Sequence, residues 1–387
     1  MKKIGILTTI EANHGSCIFN ASLYQLIKGV NQENDVKFLH FLFTAYRFKE
    51  LMRTLKVNSK IPFYNLRRTI TLDRFTKKET PLETFHGLKN LEELLREIDL
   101  KGYSTLIVGK VVWDIAAGTP LKFPNVYWLS ETIKAKKIAY AISGHRTDLE
   151  LFKQRKTEAY KYLSNFQLIG VRDDMTQTMM EVAGIDKITP IYRISDPAFL
   201  YEPDHVDPQV LLKRYKISPD RPILGLLYYG KENISQRICE VYHKKGYQII
   251  NFNMFNPYAD INIGHRISPD EWLALIKQLS FCITDRFHIS VFCLREDIPF
   301  IGIEPYQPKT LLNSKVYSVL KDFEIEKTCY QDTYKPEFNL DYFLSQCDQI
   351  EKNWKTDLSA GVRSRLISQN QNQRNFLELV HQIIESS

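Results

Sequence analysis

Short apolar runs alternate with helical stretches along almost all of this chain, and that alternation restricts its fold more than any other feature. The pattern is plainest from Cys282 to Lys309. There Cys282-Ile283-Thr284 reads as a buried strand and Asp285-Arg286-Phe287-His288 as the turn leaving it. Ile289 to Arg295 reads as a compact helix, and Pro299 to Ile303 as a second strand followed by a loop that carries Lys309. Apolar runs this short around a helix argue for a β-α-β unit with parallel strands. Ligands in such sheets bind outside the carboxyl ends of the strands. With the two strands as neighbours, about 5 Å apart, Arg286, His288 and Lys309 face one ligand. Two cations and an imidazole beside a helix N-terminus suit a small polyanion. Solvated cations beside a capping histidine are the plain alternative.

The same grammar holds from the start. Lys3 to Thr9 reads as a strand, and the loop Glu11-Ala12-Asn13-His14-Gly15-Ser16 leads to a helix from about Ile18 to Val30. A small-residue turn between a first strand and helix is where α/β domains often meet a ligand, although a single glycine is a weak signal. Strands follow at Thr105 to Val108, at Lys137 to Ile142 with Ser143-Gly144-His145-Arg146 after it, and at Gln167 to Val171 with Arg172-Asp173-Asp174 after it. Asp174 reads as the N-cap of a helix that stops at Gly184. Arg146 and Arg172 thus sit, like Arg286, just past a strand. The second half restarts at Pro222 to Tyr229, and Ser268-Pro269-Asp270-Glu271 opens a well-capped helix.

At 387 residues two domains are expected. The Pro-containing acidic stretch through Pro208 suggests a first domain over 1–203 with a basic insertion over 40–100, a second over 204–345, and a helical segment over 346–387. Two Rossmann-like, doubly wound α/β domains facing across a cleft are therefore the expected fold class. Six scattered cysteines without a CxxC pair argue against a zinc ribbon or disulfide framework and fit a reducing cytoplasm. Neither a signal-peptide pattern nor a membrane-spanning apolar run is expected. No cluster has metal-ligand spacing, so metal-independent chemistry is expected. The net charge of +7 is concentrated: Thr44 to Lys78 holds ten basic residues against Glu50 and Asp73. A charge confined to one segment argues against nucleic acid as a partner.

Several separated pieces, in order, resemble the polysaccharide pyruvyl transferases. They are Asn13-His14-Gly15-Ser16, Ile169-Gly170-Val171-Arg172-Asp173, Ala183-Gly184-Ile185, Ser195-Asp196-Pro197-Ala198-Phe199-Leu200, Thr284-Asp285-Arg286-Phe287-His288, Ile298-Pro299-Phe300-Ile301-Gly302-Ile303 and Lys309. The resemblance implies a fold like the GT-B glycosyltransferases, with no cofactor and phosphoenolpyruvate as co-substrate. It also implies that the enolpyruvyl unit moves onto a sugar and closes as a cyclic pyruvate ketal. The family's functional residues correspond here to Arg172, Arg286, His288 and Lys309. Family members often carry an acidic residue after the first-loop glycine, where this chain has Ser16, and smaller residues where it has His145 and Arg146.

The chemistry accounts for these residue types. Phosphoenolpyruvate offers a carboxylate and a phosphate, and arginine grips planar oxyanions with two parallel bonds while lysine acts as a mobile point charge. Arg172, Arg286 and Lys309 are the expected donor clamp, and His288 the expected general acid. Asn13, His14, Gly15, Ser16, Gly144, His145, Arg146 and Asp173 are candidate acceptor contacts or supports. Asp196 reads as a turn residue. The basic segment, interleaved with Phe and Tyr, suits a surface that is part lipid and part phosphate. It is therefore expected to meet a lipid-diphosphate-linked acceptor at the membrane's inner face. Rival readings are a nucleotide-sugar glycosyltransferase, which uses the same kind of cleft, and a non-catalytic phosphate-binding protein.

Overall fold

The computed structural model describes residues 1–41, 63–86, 91–118, 122–228, 230–304 and 310–386. Lys309 and most of the basic segment, 44–62, lie outside the described residues.

The first half runs β1 (Lys3–Leu7), α1 (His14–Val30), β2 (Asp35–Phe41), α2 (Tyr64–Glu79), β3 (Leu82–Phe85), α3 (Leu91–Leu100), β4 (Thr105–Val111), β5 (Lys136–Ser143), α4 (Leu149–Leu163), β6 (Leu168–Val171), α5 (Asp174–Ala183) and β7 (Ile191–Arg193). Its sheet has the order β3-β2-β1-β4-β5-β6-β7. The second half runs α6 (Pro208–Tyr215), β8 (Ile223–Leu227), α7 (Glu232–Lys244), β9 (Gln248–Asn251), β10 (Ile261–Asn262), α8 (Pro269–Ile276), β11 (Phe281–Thr284), α9 (Phe287–Arg295), β12 (Phe300–Ile303), α10 (Lys315–Asp322), α11 (Glu326–Cys329), β13 (Tyr330–Gln331), α12 (Leu340–Asn353) and α13 (Ser359–Glu385). Its sheet has the order β10-β9-β8-β11-β12-β13. Every pairing in both sheets is parallel, and β11 and β12 are neighbours with Cys282 opposite Phe300.

Parallel strands are covered by helices on both faces, which is why the central ones are unbroken apolar runs. All residues of β6, β8, β11 and β12 are buried. The strand order reverses between β1 and β4 in one sheet and between β8 and β11 in the other. A crevice opens at such a reversal, because successive connections leave for opposite faces. Loops after β1, β4 and β11 are thereby aimed at the space between the halves.

Helix α1 joins the halves. Its Phe19, Leu23 and Ile27, at helical spacing, pack on the first sheet. Cys17, Ile18 and Ala21 belong to the same buried cluster as the second sheet's strands. Helix α13 follows the second sheet in sequence, yet its Phe376, Val380 and Ile384 cover Ile4, Ile6 and Tyr140 of the first. Its Gln373 Nε2 donates to the Tyr140 hydroxyl at 3.1 Å.

Some expectations need adjustment. Helix α1 starts at His14 and α9 at Phe287, so the residues read as turns at both places form first helical turns. The N-cap of α5 is Asp173, whose Oδ1 accepts from the Thr176 amide at 2.9 Å, and Asp174 is the first helical residue. The described part of the basic segment is woven into the fold. Helix α2 buries Tyr64, Leu72 and Phe75, and β3 beyond it is the edge strand of the first sheet.

Candidate active site

A cleft of about 1080 Å³ opens between the carboxyl ends of the two sheets. Its floor is where the first turns of α1 and α9 meet. Asn13, extended at φ −141°, caps α1 by accepting from the Gly15 and Ser16 amides at 3.0 and 3.4 Å. Gly15 leaves room for the opposite helix: a β-carbon there would lie 2.1 Å from His288 Nδ1. His14 Nε2 donates to the Ile267 carbonyl at 2.9 Å, and its ring lies 5.1 Å from that of Trp272. Burial and the nearby Arg68 cation push its pKa down to about 3, so it is a neutral strut between the halves.

His288 lies in the first turn of α9, one residue past Phe287. Burial pushes its pKa down to about 3. The Asp196 carboxylate opposes that shift, while the Arg172, Lys315 and Lys110 cations add to it. The His288 Nε2 to Asp196 Oδ2 distance is 3.7 Å. The imidazole is therefore neutral at ordinary pH. Asp196 also receives Arg172 Nη1, and it caps the short turn Pro197–Leu200 through the Ala198 amide at 3.0 Å. The guanidinium of Arg172 lies over the Phe287 ring, 4.9 Å from its centre. Arg286, the residue before α9, pairs its Nε with Asp285 at 2.7 Å and lines the cleft.

Asn13, His14, Gly15, Ser16, Arg146, Arg172, Arg286 and His288 thus come together along one cleft. Gly144, His145 and Asp173 do not line it and stand behind its wall, as supports rather than contacts. A β-carbon on Gly144 would meet Met179 Sδ at 2.8 Å and the Trp113 carbonyl at 2.9 Å, so this glycine serves close packing. The fully buried His145 is in a segment pinned from the second half, where Asn313 Nδ2 donates to the His145 and Thr147 carbonyls at 2.6 and 3.2 Å. Asp173 is occupied by its cap and by the Thr176 hydroxyl.

The structure adds residues that the sequence reading passed over. Lys315 opens α10 and lines the cleft, and among the described residues it pairs with no carboxylate. Burial, then Arg172 and Arg146, lower its pKa to about 8, against Asp114 and Asp173. Glu304, at the end of β12, accepts from Tyr330 Oη at 2.9 Å and from the Ser314 hydroxyl. Burial lifts its pKa to about 7. Lys110, in left-handed backbone at φ +78°, donates to the Thr9 carbonyl at 2.6 Å beside Glu11. Among the described residues no group of three or more His, Cys, Asp and Glu is placed to hold a metal ion.

This arrangement defines a class. Solved structures with the same architecture include a putative UDP-N-acetylglucosamine 2-epimerase from Listeria monocytogenes at 10% identity, with TM-score 0.59 and coverage of 100% of this chain and 98% of that one. Another is a ugt transferase from Siraitia grosvenorii in complex with UDP, at 6% identity and TM-score 0.55, with both chains covered completely. A third is sucrose-phosphate synthase from Thermosynechococcus elongatus, at 9% identity and TM-score 0.52, again with full coverage of both. The fold is the two-Rossmann-domain layout of the GT-B glycosyltransferases. A search of curated proteins by sequence finds no match. The family model for polysaccharide pyruvyl transferase matches residues 13–306, and the chain belongs to that family of enzymes.

Proposed function

We propose that the cleft binds phosphoenolpyruvate and transfers its enolpyruvyl unit to a sugar of a surface-polysaccharide precursor, closing it as a cyclic ketal. The observation that supports this most is the convergence of Arg172, Arg286, Lys315 and His288 on one cleft at the two strand-order reversals. Phosphoenolpyruvate carries close to three negative charges over a carboxylate and a phosphate. Arg172 comes from the first half and Arg286 with Lys315 from the second, so the donor bridges them. Lys309, outside the described residues, is kept in this reading as a further cation.

Binding by such a clamp depends on bidentate geometry. Arg172→Lys and Arg286→Lys are each expected to weaken phosphoenolpyruvate binding about tenfold, roughly 1.4 kcal/mol. Isothermal titration calorimetry checks this, and parent-like affinity in either variant removes that arginine from the clamp. Product analysis tests the reaction itself. Inorganic phosphate released from phosphoenolpyruvate, in step with pyruvate appearing on the acceptor, is the expected result. Nucleoside diphosphate released from a sugar nucleotide would instead make this a glycosyltransferase.

The acceptor is read as a lipid-linked diphosphate met at an anionic bilayer. Helix α2 supports that reading by its two faces. Phe63, Arg67, Ile70, Arg74 and Lys77 form one exposed stripe at helical spacing, with Phe63 64% and Ile70 42% exposed. Arg68 is turned the other way and lines the cleft. Lys77 pairs with Asp73 at 2.7 Å on the exposed surface, and Lys78 is engaged by Asp204 and Glu79. No helix among the described residues is long and apolar enough to cross a membrane. Each cation near an anionic leaflet contributes about 1 kcal/mol, screened by salt. Replacing Arg67, Arg74 and Lys77 by Gln is expected to abolish salt-sensitive co-sedimentation with anionic vesicles and to spare phosphoenolpyruvate binding. Unchanged co-sedimentation would exclude this face.

A further inference from the structure

Acceptor hydroxyls must lose protons for a ketal to form, and His288 on the donor side supplies one rather than takes one. We infer that Glu11 is the group that receives the acceptor hydroxyl's proton, an inference that rests on the donor reading above.

Among the described residues four carboxylates line the cleft: Glu11, Asp114, Asp285 and Glu304. Three are committed elsewhere. Asp285 pairs with Arg286 at 2.7 Å. Asp114 is buried, its Oδ1 accepting from the Arg146 amide at 3.0 Å, and burial raises its pKa. Glu304 is buried and held by Tyr330 and Ser314, and burial lifts its pKa to about 7. Glu11 alone among them is exposed to the cleft's solvent. Its Oε2 accepts from the Ser16 hydroxyl at 3.3 Å, and the Lys110 cation holds its carboxyl below the usual range. It is therefore ionised and open to a ligand.

Its place is set by the same helical turn that holds the acid. Gly15 lies against His288, and Ser16, the next residue, holds Glu11. A sugar entering over the first turn of α1 meets a carboxylate at one end and the donor at the other. A weak base suffices there, because a hydroxyl becomes strongly acidic as its oxygen bonds to an oxocarbenium-like carbon. In the addition step the bond from the acceptor oxygen to the donor's central carbon forms as the methylene carbon takes the His288 proton, and the hydroxyl proton passes to Glu11. In the closing step a second hydroxyl of the same sugar bonds to that carbon as the carbon–oxygen bond to phosphate breaks. Of the two hydroxyl protons, one balances the new methyl hydrogen and the other leaves with phosphate. No further reactant is required.

The test uses the full chain, phosphoenolpyruvate and the lipid-linked acceptor that the parent turns over. Glu11→Ala is expected to keep phosphoenolpyruvate affinity within about threefold by calorimetry and to lose about 10²-fold or more in turnover. Added formate should restore at least tenfold of that loss in a concentration-dependent way. Glu11→Gln should lose similarly without rescue, because its amide fills the site formate needs. Turnover within threefold of the parent in either variant, or a loss in Glu11→Ala that formate leaves unchanged, overturns the assignment. If the parent itself releases no phosphate from phosphoenolpyruvate, the donor reading has failed instead.

Discussion

Replacing His288 by Gln is expected to cut turnover by about 10²-fold or more, the usual loss when a general acid is removed, while leaving phosphoenolpyruvate affinity within a few-fold. Glutamine occupies similar space beside Asp196 but carries no proton to give. The imidazole's own state adds a second readout. Its pKa is pushed down to about 3, with burial the first cause and the Arg172, Lys315 and Lys110 cations adding to it. A bound polyanion offsets those cations and favours the charged imidazolium, so the pKa must rise on binding. The complex then binds more protons than the free enzyme, and near pH 6 donor binding is expected to take up a proton. Calorimetry in buffers of differing ionisation enthalpy measures that uptake, and His288→Gln should abolish it. Parent-like turnover in the variant, or identical uptake without the histidine, would exclude His288 as the acid.

Gly15→Ala should be nearly as damaging, although it adds a single methyl group. The new carbon would lie 2.1 Å from His288 Nδ1 and 2.4 Å from its Cγ, far inside any real contact. Because α1 is packed on both halves, the imidazole is the part that moves. Turnover is expected to fall about 10²-fold, on the scale of losing the acid itself. The two positions should also be strongly coupled. In a His288→Gly background the added methyl has space, and Gly15→Ala should cost less than about threefold further, since residues in contact do not act additively. A full additional loss in that background would show that Gly15 acts on something other than the histidine.

What could be read from the chain followed from how parallel sheets are built. Strands buried on both faces, such as Phe281–Thr284 and Phe300–Ile303, are compact apolar runs and stand out. Edge strands do not: the two residues of Ile261–Asn262 and of Tyr330–Gln331 are only half-buried and carry no such mark. Arg172, Arg286 and His288 were legible because each follows a strand end. Asp196 looked like a turn residue, and it is one. Its hold on Arg172, 24 positions away, depends on β6 and β7 lying side by side. Lys315 is hidden because Leu311 to Leu320 reads, from sequence alone, as one helix. The chain actually breaks at Ser314, which caps α10 and starts it with Lys315 facing the cleft. Glu11 likewise drew attention only as part of a loop, because nothing in sequence places Lys110 beside it.

Helix α13 has a consequence for how the protein is made. The face of the first sheet that carries Ile4, Ile6 and Tyr140 is covered by Phe376, Val380 and Ile384, which are translated after both sheets. On the ribosome the first half therefore emerges with that flank covered only in part, by Phe19, Leu23 and Ile27 of its own α1. The final cover of that half waits for α13, so a chain halted before residue 359 is expected to leave apolar surface exposed there. Completing the cover of the first sheet is thus tied to translation of the last helix.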